Sequence, residues 1–456
     1  MRRSEHRVAH RQTILAEWTA EEVPGVTLTP RDRRLADAVN ATERLAILET
    51  RNGVRVETRS WVGVLRFEEW ELRVVPKLSG GDPGVAAMVH ATAGLGSLRA
   101  LPGTRTLHAS GATLLDLLAM LFARECESVV RSGLLSDYVE REDALPVVRG
   151  RILADRQVLE RFGRVDRVIC RYEERESDIW ENQLLSLALA QVAPRVRHPE
   201  ARSHLLRLRT LFAEVSPAPP PQWRFPADDD YHRLNEHCRP AHTLACLLLE
   251  SMGIRELLRA GEHRGFAFLL DMNALFERFA SHVVERVLAG HGVRVHRQRQ
   301  DRLIWDADRG VPYARVIPDL LAETASGTRL SIDAKYKAYD DRRVSPADVY
   351  QSFLYARAYG GAGSGGVSHA MVLFPCRGDT LQPKRLRVRD GAGRDMAEVA
   401  AVGIPLSRII DELAADGGPA LATLQGLILA HLTGSVRANP PGAAATGGVA
   451  GGSAGR

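Results

Sequence analysis

Lysine is nearly missing from this chain. Its 456 residues include 61 Lys plus Arg, yet lysine stands only at Lys77, Lys335, Lys337 and Lys384. None of the four follows a glycine, so the Gly-Lys-[Ser/Thr] string of a P-loop is absent and no Walker-type nucleotide site is expected in this chain. Cysteine is sparse as well. Cys126, Cys170, Cys238, Cys246 and Cys376 are scattered, odd in number and without Cys-x-x-Cys spacing, which argues against a disulfide framework or zinc finger and favours a reducing cytoplasm. Apolar runs are short: Leu114 to Phe122 is interrupted by a charge and cannot span a bilayer, so no membrane association is expected. The basic start Met1-Arg-Arg leads into no continuous apolar core, so no secretory leader is expected either.

What is present is a globular composition. Hydrophobic residues make up 45% of the chain, enough for a sizeable core and two or three domains. A net charge of +5 and a pI near 9.1 permit a nucleic-acid partner without demanding one. From about Arg11 to Leu78 the pattern alternates as in strands, through Gly25-Val-Thr-Leu-Thr, Leu45 to Thr50, Val54 to Thr58, Trp61 to Phe67 and Trp70 to Lys77. Gly80-Gly-Asp-Pro-Gly reads as a loop. Helical spacing follows over Thr113 to Arg131, Glu181 to Ala193, His198 to Val215 and Tyr231 to Ser251, with a polyproline-like connector at Ser216 to Gln222. His237 and His242, five apart, miss the one-turn spacing of helical metal ligands and read as structural. Leu145-Pro-Val-Val-Arg-Gly-Arg-Ile reads as a hairpin turn with exposed Arg149 and Arg151, the other reading being a phosphate or partner contact. Lys77 is open in the same way, with a solvated strand end favoured.

The chemistry concentrates further on. Phe266 to Leu288 reads as one helix, capped by Asp271 or Asn273 and carrying Glu277 beside its apolar face. Tyr313 to Glu323 and Arg329 to Ala338 read as two strands joined by an Ala-Ser-Gly turn, bringing Asp319, Asp333 and Lys335 together. Two carboxylates on neighbouring strands suit a hard divalent cation such as Mg²⁺. A lysine two positions after the second carboxylate shares its face, where an ammonium can act on a phosphate or its attacking water. Two of the four lysines fall in Asp333-Ala-Lys-Tyr-Lys, which suggests a role arginine cannot fill. Ser345-Pro opens a helix through Tyr359, and His369 to Pro375 reads as a buried strand.

In this order, Val62-Gly-Val-Leu and Val75-Pro-Lys, Gly133-Leu-Leu-Ser-Asp-Tyr, Leu145-Pro-Val-Val-Arg-Gly-Arg-Ile, Asp271-Met-Asn-Ala-Leu-Phe-Glu, Ile317-Pro-Asp, Asp333-Ala-Lys-Tyr-Lys and Asp348-Val-Tyr-Gln make a chain that resembles the McrC family. These are the nuclease subunits of McrBC-type modification-dependent restriction systems, and the likeness runs from near residue 12 to about 415. The resemblance implies an α/β multidomain protein. Residues 1–100 would be a β-rich partner-docking domain, 101–264 a mainly helical middle region, and 265–415 a PD-(D/E)xK nuclease-like α/β domain. Residues 436–456 read as a disordered Gly/Ala-rich tail on composition alone.

The resemblance also implies roles. Asp319 and Asp333 would bind Mg²⁺, with Mn²⁺ able to substitute, and Lys335 would be the catalytic lysine. Glu277 is similar to the acidic metal-binding residue of the first helix in such nucleases, Gln351 to the glutamine of the helix after the core, and Asp348 is a weaker candidate. The partners implied are a McrB-like AAA+ GTPase hexamer, which the chain stimulates, and double-stranded DNA. A chain of this kind whose nuclease core had lapsed would act instead as a scaffold or GTPase activator. A stand-alone DNA-binding regulator fits less well, because no helix-turn-helix or zinc-finger pattern stands out.

Overall fold

The computed structural model describes residues 11–77, 80–93, 111–164, 166–217, 225–253, 266–337, 339, 343–360, 367–381 and 383–433. The expected tail and most of the polyproline-like connector lie outside the described residues. The amino-terminal region is built from β1 (Arg11–Ala16), β2 (Ala20–Pro24), β3 (Leu45–Thr50), β4 (Gly53–Thr58), β5 (Trp61–Arg66) and β6 (Trp70–Val75). β2, β4 and β3 form one antiparallel sheet, while β1 pairs in parallel with β6 and β6 with β5 in a second. The expected strand at Gly25 to Thr29 is instead the approach to a helix, Pro30–Ala41. Thr29 caps it, with the Thr29 hydroxyl accepting from the Asp32 amide and Asp32 closing the capping box. The expected loop after Gly80 is also a helix, Gly81–Thr92, with Pro83 in its first turn, where its missing N–H costs nothing.

The middle region is not simply helical. It contains an antiparallel sheet of β7 (Asp137–Leu145), β8 (Arg151–Ile152) and β9 (Val168–Glu176) in the order β7-β9-β8. Cross-strand ion pairs lace it, Arg141 to Glu176 and Arg171 to Glu142, each at 2.6 Å. Helices Leu114–Ser132, Trp180–Val192, Pro199–Val215 and Arg239–Ser251 pack around one another beside it. The last of these starts at Arg239, not Tyr231, because Pro240 sets its first turn and Asn235 holds the preceding segment by accepting from the His232 amide at 2.7 Å.

His242 lies buried in this bundle. Its Nε2–H donates to the Glu181 carbonyl at 2.9 Å, and Nδ1 accepts from the Tyr231 hydroxyl at 3.1 Å. Burial pushes its pKa down to about 4. The unfolded chain therefore takes up a proton that the folded chain refuses, and stability present above pH 6.5 is lost as pH falls toward 4, by about 3 kcal/mol at most. Urea midpoints at pH 7 and pH 4.5 should show this loss in the native chain and a flatter dependence in His242→Gln.

Strand β10 (Phe266–Asp271) replaces the first turns of the helix expected from Phe266. A short apolar run buried on both faces has no periodicity to separate strand from helix, and here it pairs antiparallel with β5, at the end of the amino-terminal sheet. Close approach is possible because residue 63 is glycine: a Cβ there would lie 2.0 Å from the Phe268 carbonyl oxygen, at a φ of +146°. Gly63→Ala should therefore destabilise the chain by about 2 kcal/mol or more in urea unfolding. The helix Met272–Leu288 follows, with Asp271 as its N-cap accepting from the Asn273 amide.

The carboxy-terminal sheet contains β11 (Val293–Arg297), β14 (Leu320–Thr324), β15 (Arg329–Ala334), β16 (Ser368–Cys376), β17 (Pro383–Arg389) and β18 (Asp395–Pro405), in the order β11-β14-β15-β16-β18-β17. β12 (Asp301–Asp306) and β13 (Val311–Val316) form a separate hairpin. The single strand expected over Tyr313 to Glu323 is thus broken at Ile317-Pro318-Asp319, since proline cannot donate to a ladder. Helix Pro346–Tyr359 begins at its Ser345 cap and packs on β15, β16 and β18. The fold does not stop near residue 415: helices Leu406–Ala414 and Pro419–Thr433 bury Ile409, Leu424 and Ile428 in a core that extends from Val62 to Leu432. Among the described residues no single helix is long and apolar enough to cross a membrane.

Candidate active site

The β14–β15 hairpin sets the centre. Its ladder pairs Leu320 with Ile332, so one step toward the open end places Asp319 opposite Asp333. The Ala334 amide donates to Asp319 Oδ2 at 2.7 Å, locking the first carboxylate across the strand end. Asp333 is only 2% exposed, and neither of its buried oxygens makes a well-directed hydrogen bond among the described residues. Its close partner is the Lys335 ammonium, 2.6 Å from Oδ2. The structure therefore brings Asp319, Asp333 and Lys335 together.

The electrostatics follow from crowding. Burial, and next the facing Asp333 carboxylate, push Asp319 up to about 8, with Glu277 adding to the effect. Burial pulls Lys335 down, but Asp333 and Asp319 outweigh it and hold the ammonium above its ordinary value. Glu277 projects from helix Met272–Leu288 and accepts from Gln298 Nε2 at 2.7 Å. The Gln298 amide in turn donates to the Asp319 carbonyl at 2.9 Å, from a residue with φ of +43°. That left-handed residue thus ties Glu277 to Asp319.

Gln351 and Asp348 are placed differently. Gln351 Nε2 donates to the Tyr355 hydroxyl at 2.8 Å, and that hydroxyl donates to the Ile317 carbonyl at 2.9 Å, so Gln351 braces the Pro318-Asp319 break through Tyr355. Asp348 is buried at the start of the same helix and accepts from Lys337 Nζ at 2.8 Å, from Ser345 Oγ at 2.7 Å and from the Tyr339 hydroxyl. Burial opposes its charge, but those donors hold its pKa below the usual carboxylate range. Asp348 therefore fixes the segment that leaves β15. Arg149 pairs with Glu174 at 3.1 Å and lies over the Tyr172 ring, and Arg151 is exposed on the middle sheet.

The scarce lysines converge on one segment. Lys335 faces Asp333, Lys337 faces Asp348, and the Lys384 ammonium donates to the Tyr339 carbonyl. The exposed Lys77 contributes its backbone: its amide donates to Glu17 Oε1 at 2.7 Å, the oxygen that also accepts from the Tyr336 hydroxyl at 2.9 Å. Tyr336 packs against Phe276 as well, so the residue after Lys335 is pinned to the amino-terminal region and to the Glu277 helix at once. Tyr336→Phe removes a hydrogen bond to a fully buried carboxylate and should cost about 2 kcal/mol in urea unfolding. Gln298, Tyr336, Tyr355 and Lys384 were not singled out from sequence, since their partners lie up to 319 positions away. Only the rarity of lysine hinted at Lys384.

Asp319 and Asp333 share one ammonium, and Glu277 acts on Asp319 as well, so the site is short of positive charge. Its donors are all carboxylate oxygens, and the two Asp333 oxygens lack directed hydrogen bonds, so the residues fit a hard divalent cation such as Mg²⁺.

Comparison with known proteins gives the setting. Residues 56–374 match the family model described as McrBC 5-methylcytosine restriction system component. No curated protein matches. Among solved structures, the chain is similar to one from the refined half-complex of a tetradecameric assembly of Thermococcus gammatolerans McrB AAA+ hexamers with bound McrC. That similarity has a TM-score of 0.55 at 18% identity, over 91% of this chain and 100% of the other. A chain of the cryo-EM structure of the Thermococcus gammatolerans McrBC complex matches with a TM-score of 0.41 at 22% identity, over 61% of this chain and 88% of the other.

Proposed function

This chain belongs to the McrBC 5-methylcytosine restriction system component family, as a McrC-family chain, and on that premise we propose that it is the metal-dependent DNA endonuclease subunit of a cytoplasmic restriction complex. The observation that carries the reading is the opposed pair Asp319 and Asp333, with undirected Asp333 oxygens and the Lys335 ammonium at 2.6 Å. Asp319 and Asp333 would hold Mg²⁺ with Glu277 beside them, in a PD-(D/E)xK-type arrangement. When bound, that cation supplies Lewis acidity toward a phosphodiester and a more acidic water.

The chain's own residues do the rest. Asp333 and Asp319 keep the Lys335 ammonium charged at neutral pH, where it stabilises the negative charge that develops on the attacked phosphate. Gln298 positions Glu277. Gln351 and Tyr355 stiffen the strand break that presents Asp319.

No Gly-Lys-[Ser/Thr] string exists in the sequence, so a nucleotide-driven step would come from a partner. The Thermococcus gammatolerans assembly, with McrC bound to McrB AAA+ hexamers, supports a McrB-like AAA+ hexamer as that partner; on the family resemblance it would be a GTPase that moves double-stranded DNA and is stimulated by this chain. The middle sheet module offers a surface for it: Leu159 and Phe162 are 83% and 84% exposed, with Val147, Val148 and Ile152 also exposed there. The test is reconstitution with a McrB-like AAA+ subunit, GTP and methylated DNA, titrating Mg²⁺ or Mn²⁺. Metal-dependent double-strand cuts support the nuclease reading. Stimulated GTP hydrolysis with intact DNA at every metal concentration would show a scaffold and activator instead.

A further inference from the structure

Away from the carboxylate pair, three side chains converge where the carboxy-terminal sheet meets the last helix. His369 and Glu398 are register partners on the parallel strands β16 and β18. Their alternation puts them on the face that carries Met371, Leu373, Ala400 and Val402 into the main core, and His431 descends on that face from helix Pro419–Thr433. Glu398 and His431 are each only 5% exposed, while His369 is half-buried.

Each group keeps a buried polar atom without a hydrogen-bond partner among the described residues. His431 Nδ1 lies 2.7 Å from the Leu427 carbonyl, so it must carry the proton and donate, which leaves Nε2 as a bare acceptor. Glu398 Oε2 accepts from Arg387 Nε at 3.3 Å, leaving Oε1. His369 Nδ1, Glu398 Oε1 and His431 Nε2 are all buried without a hydrogen-bond partner among the described residues. Buried polar atoms left unmatched are costly, and three ligand-type side chains gathered at one place are an arrangement that a cation resolves. The candidate ligand atoms lie within 4.8 Å of one another, with Glu398 Oε1 and His431 Nε2 4.0 Å apart. Tetrahedral zinc holds such atoms roughly 3.4 Å apart, so closure would draw them together by about 1.4 Å at most.

We propose that His369, Glu398 and His431 form a binding site for a divalent transition-metal ion, Zn²⁺ in particular, that pins the end of the last helix to the sheet. Two imidazoles and one carboxylate are a zinc donor set; Mg²⁺ prefers oxygen alone. The site is distinct from the carboxylate pair. His369 precedes Val372, the register partner of Asp333, by three residues, roughly 10 Å along the strand. The ordinary alternative is a water molecule bridging the three side chains.

The experiment measures zinc per chain by mass spectrometry on the purified full-length protein after zinc loading and dialysis into Mg²⁺ buffer, with thermal unfolding alongside. Native protein and Asp333→Asn should each retain one zinc per chain and gain thermal stability from it. His369→Gln and Glu398→Gln, with native circular dichroism, should lose at least nine-tenths of that zinc and the stability gain. His369→Gln is the safer variant, because its side chain is only half-buried. Cobalt loading should give the visible absorption of a low-symmetry tetrahedral ion in the native chain and in Asp333→Asn, and not in His369→Gln or Glu398→Gln. Native protein that keeps no zinc, or folded His369→Gln and Glu398→Gln chains that keep all of it, would overturn the proposal, as would loss of the zinc on Asp333→Asn alone.

Discussion

Asp333→Ala should reduce DNA cleavage by the reconstituted complex by roughly a thousandfold or more while leaving partner GTP hydrolysis stimulated. The substitution removes a carboxylate proposed to hold the metal and takes from Lys335 its nearest counter-charge, at 2.6 Å. It should not unfold the protein. Asp319 is held up to about 8 chiefly by burial and then by Asp333, so in metal-free protein the pair disfavours two charges. A carboxyl whose folded pKa exceeds its unfolded value lends stability below the unfolded value, near 3.9, and that stability drains away as pH rises through 8. Deleting Asp333 lowers the Asp319 pKa and weakens that drain. Metal-free Asp333→Ala should therefore melt no lower than the native chain at pH 8. Loss of cleavage and GTPase stimulation together, in a chain that melts normally, would contradict the division of labour between carboxylate pair and partner surface.

The site was legible in the sequence where its geometry is local. Asp333 and Lys335 share a face by strand alternation, and a five-residue turn brings Asp319 across from them, so spacing alone predicts the trio. The Ser345 cap and the helix behind it are local in the same sense. Gln298 was not legible, because its role depends on a left-handed residue joining a helix to a strand end. Neither was the Tyr336–Glu17–Lys77 link, which spans 319 positions. In the fold, Thr29-Pro-Arg-Asp32 was a readable helix start submerged in the alternation around it. Phe266–Asp271 was unreadable for another reason: with both faces buried, a strand shows an unbroken apolar run.

The β7–β9 pair escaped for the opposite reason, and that leads to the second large effect. Strands such as Asp137–Leu145 expose most of their residues, so no alternation marks them, and the backbone ladder between β7 and β9 is crossed by ion pairs on the exposed surface, including Arg141–Glu176, Arg156–Glu142 and Arg171–Glu142. Its helix Ala154–Arg161 buries no residue. Leu159 and Phe162, at 83% and 84% exposed, thus contribute little to a core of their own, and large apolar side chains standing in water beside Val147 and Val148 fit a docking surface better than a folding role. The double substitution Leu159→Asp, Phe162→Asp should weaken binding to the AAA+ partner by about a hundredfold, as loss of one or two interface anchors does, and should abolish stimulation of GTP hydrolysis. Because neither residue is buried, thermal stability should shift by only about 0.5 kcal/mol. The carboxylate pair is untouched, so any partner-independent cleavage should persist. Partner affinity and stimulation equal to the native chain's would remove this module from the proposed docking surface and return that role to the strands of residues 11–75.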